Sequence, residues 1–340
     1  MRMTDILTRL HRASFPEARA PNVSRMQKNR AAQADVNPGA RVNIEAMFTG
    51  IIPPVVTPFT KSGELDLNAL QETIRWLEPQ VDGFLILGSN GEVPYLSEVE
   101  RTRVLEAARE AIPVGRPFIA GTGGEATAQV IERCLVAAAV GADAVLVIAP
   151  FYNRGSMTPS VLDTHFRAVA DACPVPVYVY NIPQVSGIAH SPAWMASVAQ
   201  HPNIAGLKDS SGDIMTLTET ARVVQADFNV LTGNAPTLLP ALSIGAQGAI
   251  LAAANVIPGI FSKLRTAFME RDLETALKLQ RRSNALSYAV TRDFGVAGLK
   301  AAMRLRGVSG GYPRAPLLDV DAATITKLEG MLIELSDLLE

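Results

Sequence analysis

The chain has 340 residues, 48% hydrophobic and 19% charged, enough apolar material for one large α/β domain or two ordinary ones. Its net charge of −2 comes from 31 basic and 33 acidic residues mixed along the sequence, a balance that argues against a nucleic-acid or membrane-surface partner. Cys134 and Cys173 are the only cysteines. They lack metal-site spacing and read as small core residues of a chain in a reducing, cytoplasmic compartment.

The first 46 residues stand apart. They hold eight basic residues and only the acids Asp5, Glu17, Asp35 and Glu45. There is no apolar core of about 7–15 residues as in a secretory signal, and the acids make a poor organelle-targeting peptide. The segment reads as a disordered extension, with the patterned chain beginning near Met47.

From there, short β-branched runs alternate with longer helical ones. Strands are predicted near 51–56, 83–88, 117–121, 144–149, 175–180, 204–208, 228–232 and 248–252. Between them lie amphipathic stretches such as Leu67–Leu77, Glu98–Ala111 and Thr127–Val140; Ser97 and Glu100 have capping-box spacing at the start of the second. Eight strand–helix units predict a (β/α)8 barrel over 47–255, with a doubly wound sheet as the alternative. Residues 256–340 read as a helical C-terminal region packed on the barrel. The stretch 228–262 has no charge, but Asn234, Pro236, Pro240, Gln247, Asn255 and Pro258 interrupt it, so a strand, a helix and a second strand explain it better than a membrane span.

Active residues of such barrels sit at the C-terminal ends of strands. The second strand ends in Gly88-Ser-Asn-Gly-Glu92, whose glycines let the backbone turn N–H groups inward as an anion cradle, with Ser89 and Asn90 as further donors; an ordinary glycine turn is the plain alternative. The fourth ends in Pro150-Phe-Tyr-Asn-Arg154, where Tyr152 could join a hydroxyl relay and Arg154 reads better as surface cover. In the fifth, Val177-Tyr-Val-Tyr-Asn-Ile-Pro183, Tyr178 and Tyr180 share a parity, so alternation does not choose between them; position at the strand end favours Tyr180 as a proton donor and acceptor. The sixth, Ile204-Ala-Gly-Leu-Lys208, is apolar and ends in one lysine. Lysine is rarely buried without a use for its amine. Apolar surroundings favour the neutral form, which attacks a ketone to give an imine; an exposed strand-end lysine is the competing reading.

Other chemistries lack their residues. The four histidines have no ligand spacing, Gly-x-Ser-x-Gly is missing, and neither the 88–92 loop nor Gly121-Thr-Gly-Gly124 after the third strand has dinucleotide or P-loop spacing.

These motifs together resemble the dihydrodipicolinate synthase/N-acetylneuraminate lyase superfamily of lysine-dependent pyruvate aldolases. The matches are Gly-Ser-Asn-Gly-Glu at 88–92, Ala-Gly-Thr-Gly at 120–123, Pro-Phe-Tyr-Asn-Arg at 150–154, Tyr-Asn-Ile-Pro at 180–183 and Gly-Leu-Lys-Asp-Ser at 206–210. The resemblance implies a barrel in a homotetramer built from tight dimers, and an imine between Lys208 and a small 2-oxo acid. It makes Tyr180 the acid/base, with Ser89 and Tyr152 in its relay, Tyr152 serving the neighbouring subunit. The synthase usually has two threonines where Ser89 and Asn90 stand, and an arginine for its aldehyde's carboxylate where this chain has Val185. The 289–300 run and Gly310-Gly-Tyr-Pro-Arg-Ala-Pro-Leu317 look most like 4-hydroxy-2-oxoglutarate aldolase.

The implied reaction cleaves 4-hydroxy-2-oxoglutarate to pyruvate and glyoxylate. Lys208 attacks C2, while Ser89, Asn90 and Gly91 hold the C1 carboxylate. Tyr180 takes the 4-hydroxyl proton as C3–C4 breaks, and Ser210 contacts the distal carboxylate. The imine serves as electron sink, so no metal or organic cofactor is expected. The alternatives are synthase-like condensation, an aldolase or dehydratase for a sugar-derived 2-keto-3-deoxy acid, and a non-catalytic oxo-acid sensor.

Overall fold

The computed structural model describes residues 48–339; the extension expected over 1–46 lies outside them. Eight strands, β1 (Gly50–Ile52), β2 (Phe84–Ile86), β3 (Phe118–Gly121), β4 (Ala144–Ile148), β5 (Val177–Asn181), β6 (Ile204–Asp209), β7 (Asn229–Thr232) and β8 (Gly248–Ile250), pair in parallel in the order β1-β8-β7-β6-β5-β4-β3-β2. The first expected strand, 51–56, is cut short because Pro53 and Pro54 carry no N–H for a ladder. The barrel closes there through isolated bonds. Val55 N–H donates to the Leu85 carbonyl (2.8 Å), Leu85 N–H to the Pro53 carbonyl (3.1 Å) and Asp82 N–H to the Ile51 carbonyl (2.9 Å). A doubly wound sheet would keep two free edges, so this closure settles the (β/α)8 barrel.

The helices are α1 (Leu67–Leu77), α2 (Glu98–Ala111), α3 (Thr127–Val140), α4 (Pro159–Ala172), α5 (Pro183–Ser186), α6 (Pro192–Val198), α7 (Ile214–Val223), α8 (Leu238–Ser243), α9 (Pro258–Met269), α10 (Leu273–Tyr288), α11 (Gly295–Leu305), α12 (Ala322–Glu334) and α13 (Ser336–Leu339). The capping box forms as its spacing implies: Glu100 N–H donates to Ser97 Oγ (3.3 Å) and Ser97 N–H to Glu100 Oε2 (2.9 Å). The uncharged stretch resolves into β7, α8, β8 and the start of α9. No helix among the described residues is long and apolar enough to cross a membrane.

Strand alternation sorts the core into two layers. Ile52, Leu85, Ile119, Leu146, Tyr178, Leu231 and Ile250 fill the barrel interior. Outward neighbours such as Ile51, Phe84, Phe118 and Val177 pack under the helices, each large side chain contributing about 1.5–3 kcal/mol by leaving water. A cluster running from Ile51 and Ala249 through Phe261, Leu264, Leu286, Leu299 and Leu328 joins the C-terminal helices to the outer face of β1 and β8.

Cys134 and Cys173 are free and buried. The Cys134 thiol shares a hydrogen bond with the Thr122 hydroxyl (3.2 Å). His165, His190 and His201 are taken up by Thr127 (2.9 Å), by stacking on Trp194 (4.4 Å between centroids) and by Asp171 (3.0 Å). Among the described residues no cluster of three His, Cys, Asp or Glu side chains could hold a metal ion.

Candidate active site

The β5–β6 register sets Tyr180 directly beside Lys208, both at the C-terminal mouth. Lys208 is 3% exposed and Tyr180 6%, and the Lys208 Nζ lies 4.2 Å from the centre of the Tyr180 ring. Tyr178, the rival by parity, sits two residues deeper. It is fully buried with its hydroxyl unpartnered and its ring edge-on to Phe48 at 5.2 Å. It fits because Gly206 lies opposite: a Cβ there would stand 2.3 Å from Tyr178 Cε1. Tyr178 is core, and Tyr180 faces the amine.

Burial by itself would raise the Tyr180 phenol's pKa. The Lys208 charge and hydrogen bonds with Ser210, Ser89 and the Lys208 amine outweigh it and hold the phenol below the ordinary tyrosine value. Ser89 and Ser210, in the loops after β2 and β6, line one cavity with Tyr180. Gly233 makes room at the same spot, since a Cβ there would fall 1.9 Å from Ser210 Oγ and 2.9 Å from Lys208 Cε.

The Gly88–Glu92 loop forms a 3-10 turn over Ser89–Gly91. The Gly91 N–H, expected to face substrate, donates instead to the Gly88 carbonyl (2.8 Å), so the turn itself leaves only the Ser89 and Asn90 amides uncommitted. The left-handed backbone also falls elsewhere than the glycines, at Leu87 (φ 59°) and Glu92 (φ 54°). Glu92 is held there by partners far along the chain. Its carboxylate pairs with Lys300 Nζ and accepts the Arg314 N–H (2.8 Å). Lys300 also donates to the carbonyls of Thr57 (2.7 Å) and Tyr312 (2.8 Å); burial brings its pKa down to about 8 against the opposing pull of Glu92. The Arg314 guanidinium forks onto Glu100 (2.6 and 3.0 Å), and this bond lowers Glu100 to about 2. The tail segment 310–317 thus buttresses the loop that carries Ser89.

Asp209, next to Lys208 but facing outward, was not singled out by the sequence. It is buried, accepts from Asn181 Nδ2 (2.5 Å), from the Ser211 N–H (2.9 Å) and from the Ser211 hydroxyl (2.5 Å), and burial raises its pKa despite those bonds. It fixes the turn that presents Ser210.

Lys208, Tyr180, Ser89, Asn90 and Ser210 open into one cavity of about 480 Å³, whose other walls include Gln184, Val185, Asn234, Tyr288, Thr291 and Arg292. Tyr152 lies outside it. Its N–H is tied to Glu125 (2.9 Å) and its side chain is 85% exposed. Arg154 is also outside the cavity and exposed.

A barrel with a buried lysine beside a tyrosine at its mouth has the form of an imine-forming enzyme. Residues 47–335 match the model of the dihydrodipicolinate synthetase family, and the chain belongs to that family. It is 35% identical over 283 residues to the 4-hydroxy-tetrahydrodipicolinate synthase of Exiguobacterium sp., covering 83% of this chain and 96% of that one. It is 38% identical over 279 residues to the enzyme of the same name from Acidiphilium cryptum, covering 82% and 95%. A dihydrodipicolinic acid synthase family protein from E. coli K12, solved in complex with pyruvate, superposes with a TM-score of 0.80 at 32% identity, covering 86% of this chain and 99% of that one. Members of the family are carbon–carbon lyases and synthases that work through a pyruvate–lysine Schiff base without metal or external cofactor. These relatives are named synthases rather than 4-hydroxy-2-oxoglutarate aldolases, so they support the family expectation but not the narrower one.

Proposed function

We propose that the protein makes or breaks a carbon–carbon bond next to an imine between Lys208 and a 2-oxo acid, with pyruvate as the half held on the lysine. One observation carries this reading: the buried Lys208 amine lies 4.2 Å from the ring centre of Tyr180, in one cavity with Ser89 and Ser210. The Lys208 amine adds to C2 and water leaves. The free Ser89 and Asn90 amides receive the C1 carboxylate. The protonated imine then takes up the electron pair of the C3–C4 bond, while Tyr180 moves the proton of the aldehyde-derived oxygen. Ser89 and Ser210 position that phenol.

Tyr152 has no part in the site of its own subunit. Its exposure suits a tight dimer inside a homotetramer, with each Tyr152 completing the neighbour's relay. The names of the relatives favour condensation of pyruvate with a carboxylated aldehyde. Cleavage of 4-hydroxy-2-oxoglutarate is the second reading, favoured by Val185, which leaves an apolar wall where the synthase resemblance calls for arginine.

Pyruvate release from 4-hydroxy-2-oxoglutarate, coupled to lactate dehydrogenase, tests the two. Rapid release with equimolar glyoxylate establishes cleavage. Pyruvate consumption only in the presence of a carboxylated aldehyde establishes condensation. Turnover of a 2-keto-3-deoxy sugar acid alone would discard both substrates while keeping the imine, and inactivity toward all of them would overturn the reading.

A further inference from the structure

The walls of the active cavity carry two charged side chains, Lys208 and Arg292, and no carboxylate. Lys208 stands on β6. Arg292 belongs to a turn of π-helix, Ala289–Asp293, inserted between α10 and α11. Such turns are uncommon, cost regular hydrogen bonding and recur at functional sites. This one changes the helical phase at the cavity, where Tyr288, Val290, Thr291 and Arg292 all contribute to the wall. The Arg292 guanidinium stacks on the Tyr288 ring, 4.5 Å from its centre. Its Nε binds Asp293 at 2.9 Å, a bond that does not use the two terminal nitrogens.

From this geometry we infer that Arg292 receives a second carboxylate of the substrate, so that the site selects dicarboxylic 2-oxo acids over polyhydroxylated monocarboxylic ones. The inference rests on the imine reading above and extends it to the far half of the substrate. A carboxylate bound at the Ser89 and Asn90 amides accounts for one negative charge near Lys208. Asp293 takes only the Nε of Arg292; a distal carboxylate matches the planar fork of the two terminal nitrogens, which a neutral sugar-derived tail would not engage as an ion pair. Asn234 and Thr291 also line the cavity, but the Thr291 hydroxyl donates to the Ser287 carbonyl (2.6 Å) and the unpartnered Asn234 Oδ1 is an acceptor, so the Arg292 fork is the group there that suits a carboxylate. Val185, in α5 beside Gln184 on the cavity wall, supplies no charge, and the second cation of the cavity comes from the C-terminal region instead. No bond is made or broken in this step; it is recognition alone.

The test compares kcat/KM for 4-hydroxy-2-oxoglutarate, and for condensation with a carboxylated aldehyde, against kcat/KM for a 2-keto-3-deoxy sugar acid. Wild type and Arg292→Gln are measured side by side. The Arg292 side chain is 69% exposed, so the substitution leaves folding intact, and circular dichroism checks this. The expected result is a fall of about 10- to 100-fold in the ratio of dicarboxylate to sugar-acid kcat/KM, carried mainly by KM. Arg292→Lys, which keeps the charge but loses the fork, should lie between. An unchanged ratio in Arg292→Gln overturns the inference. Borohydride trapping of wild type with pyruvate alone is run in parallel: failure there overturns the imine reading itself, and so separates the two failures.

Discussion

Lys208 and Lys300 are buried almost equally, 3% and 0% exposed, in the same barrel. Around Lys300 every donor of the ammonium is used, by the Glu92 carboxylate and the carbonyls of Thr57 and Tyr312. It also sits 4.6 Å from the centre of the Phe59 ring. Lys208 has no carboxylate within ion-pair distance among the described residues. It faces the phenol of Tyr180, and beyond it a cavity of about 480 Å³. Burial alone therefore does not make a lysine reactive. A buried amine with all its donors satisfied is a structural tie, and one left beside a proton carrier and open space is available to a carbonyl carbon.

The sharpest way to break this comparison is a crossed pair of variants. Lys208→Met should abolish turnover while leaving stability equal or slightly higher, because it removes a buried polar group that has no ion-pair partner among the described residues. Lys300→Met leaves Glu92 buried and unpaired. It should cost about 3–5 kcal/mol in chemical denaturation, with activity lost only as far as the Ser89 loop loosens. If the two variants behave alike in both assays, the distinction between them fails. Lys208→Arg should be as inactive as Lys208→Met, since a guanidinium stays protonated.

Next in size, Tyr180→Phe should lower kcat by about 10²–10⁴-fold, the usual range for losing a positioned proton carrier. Tyr178→Phe should leave kcat near wild type, because that hydroxyl has no partner.

Much of this contrast was legible in the sequence, but only on one side. The alternation of apolar runs located all eight strands, and the strand-end rule put Lys208, Tyr180 and Ser89 at one mouth, because they lie at the ends of elements with clear periodicity; Ser210 came only from the family resemblance. The contributions of Lys300, Arg292 and Asp209 were not legible. Lys300 meets Glu92 across 208 positions, a pairing that no local pattern encodes. Arg292 enters the cavity through a π-turn that helical periodicity reads as ordinary helix. Asp209 was visible next to Lys208, but its outward orientation and its bond to Asn181 depend on the sheet register. The geometry of the Gly88–Glu92 turn was hidden for a related reason: the Gly91 N–H closes the turn, and the left-handed backbone falls at Leu87 and Glu92 rather than at the glycines that mark the loop in the sequence.

Two smaller effects sharpen the comparison through pH. The limb of the activity profile set by Tyr180 should fall below the ordinary tyrosine value of about 10. Ser89→Ala removes one of the bonds that lower it and should move that limb upward; an unmoved limb would detach Ser89 from the phenol. Burial brings Lys300 down to about 8 in the folded chain, from an ordinary lysine value of 10.5. Between those two values the unfolded chain binds the extra proton, so this group makes stability rise with pH across that window. Lys300→Met should flatten that component, read as the difference between the two proteins' denaturation midpoints at pH 8 and pH 10.

The most direct measurement is borohydride reduction of the protein in the presence of pyruvate, followed by peptide mapping of the modified residue. The account predicts one adduct, on the peptide carrying Lys208, absent in Lys208→Arg. An adduct on Lys300, or none on either lysine, would contradict it.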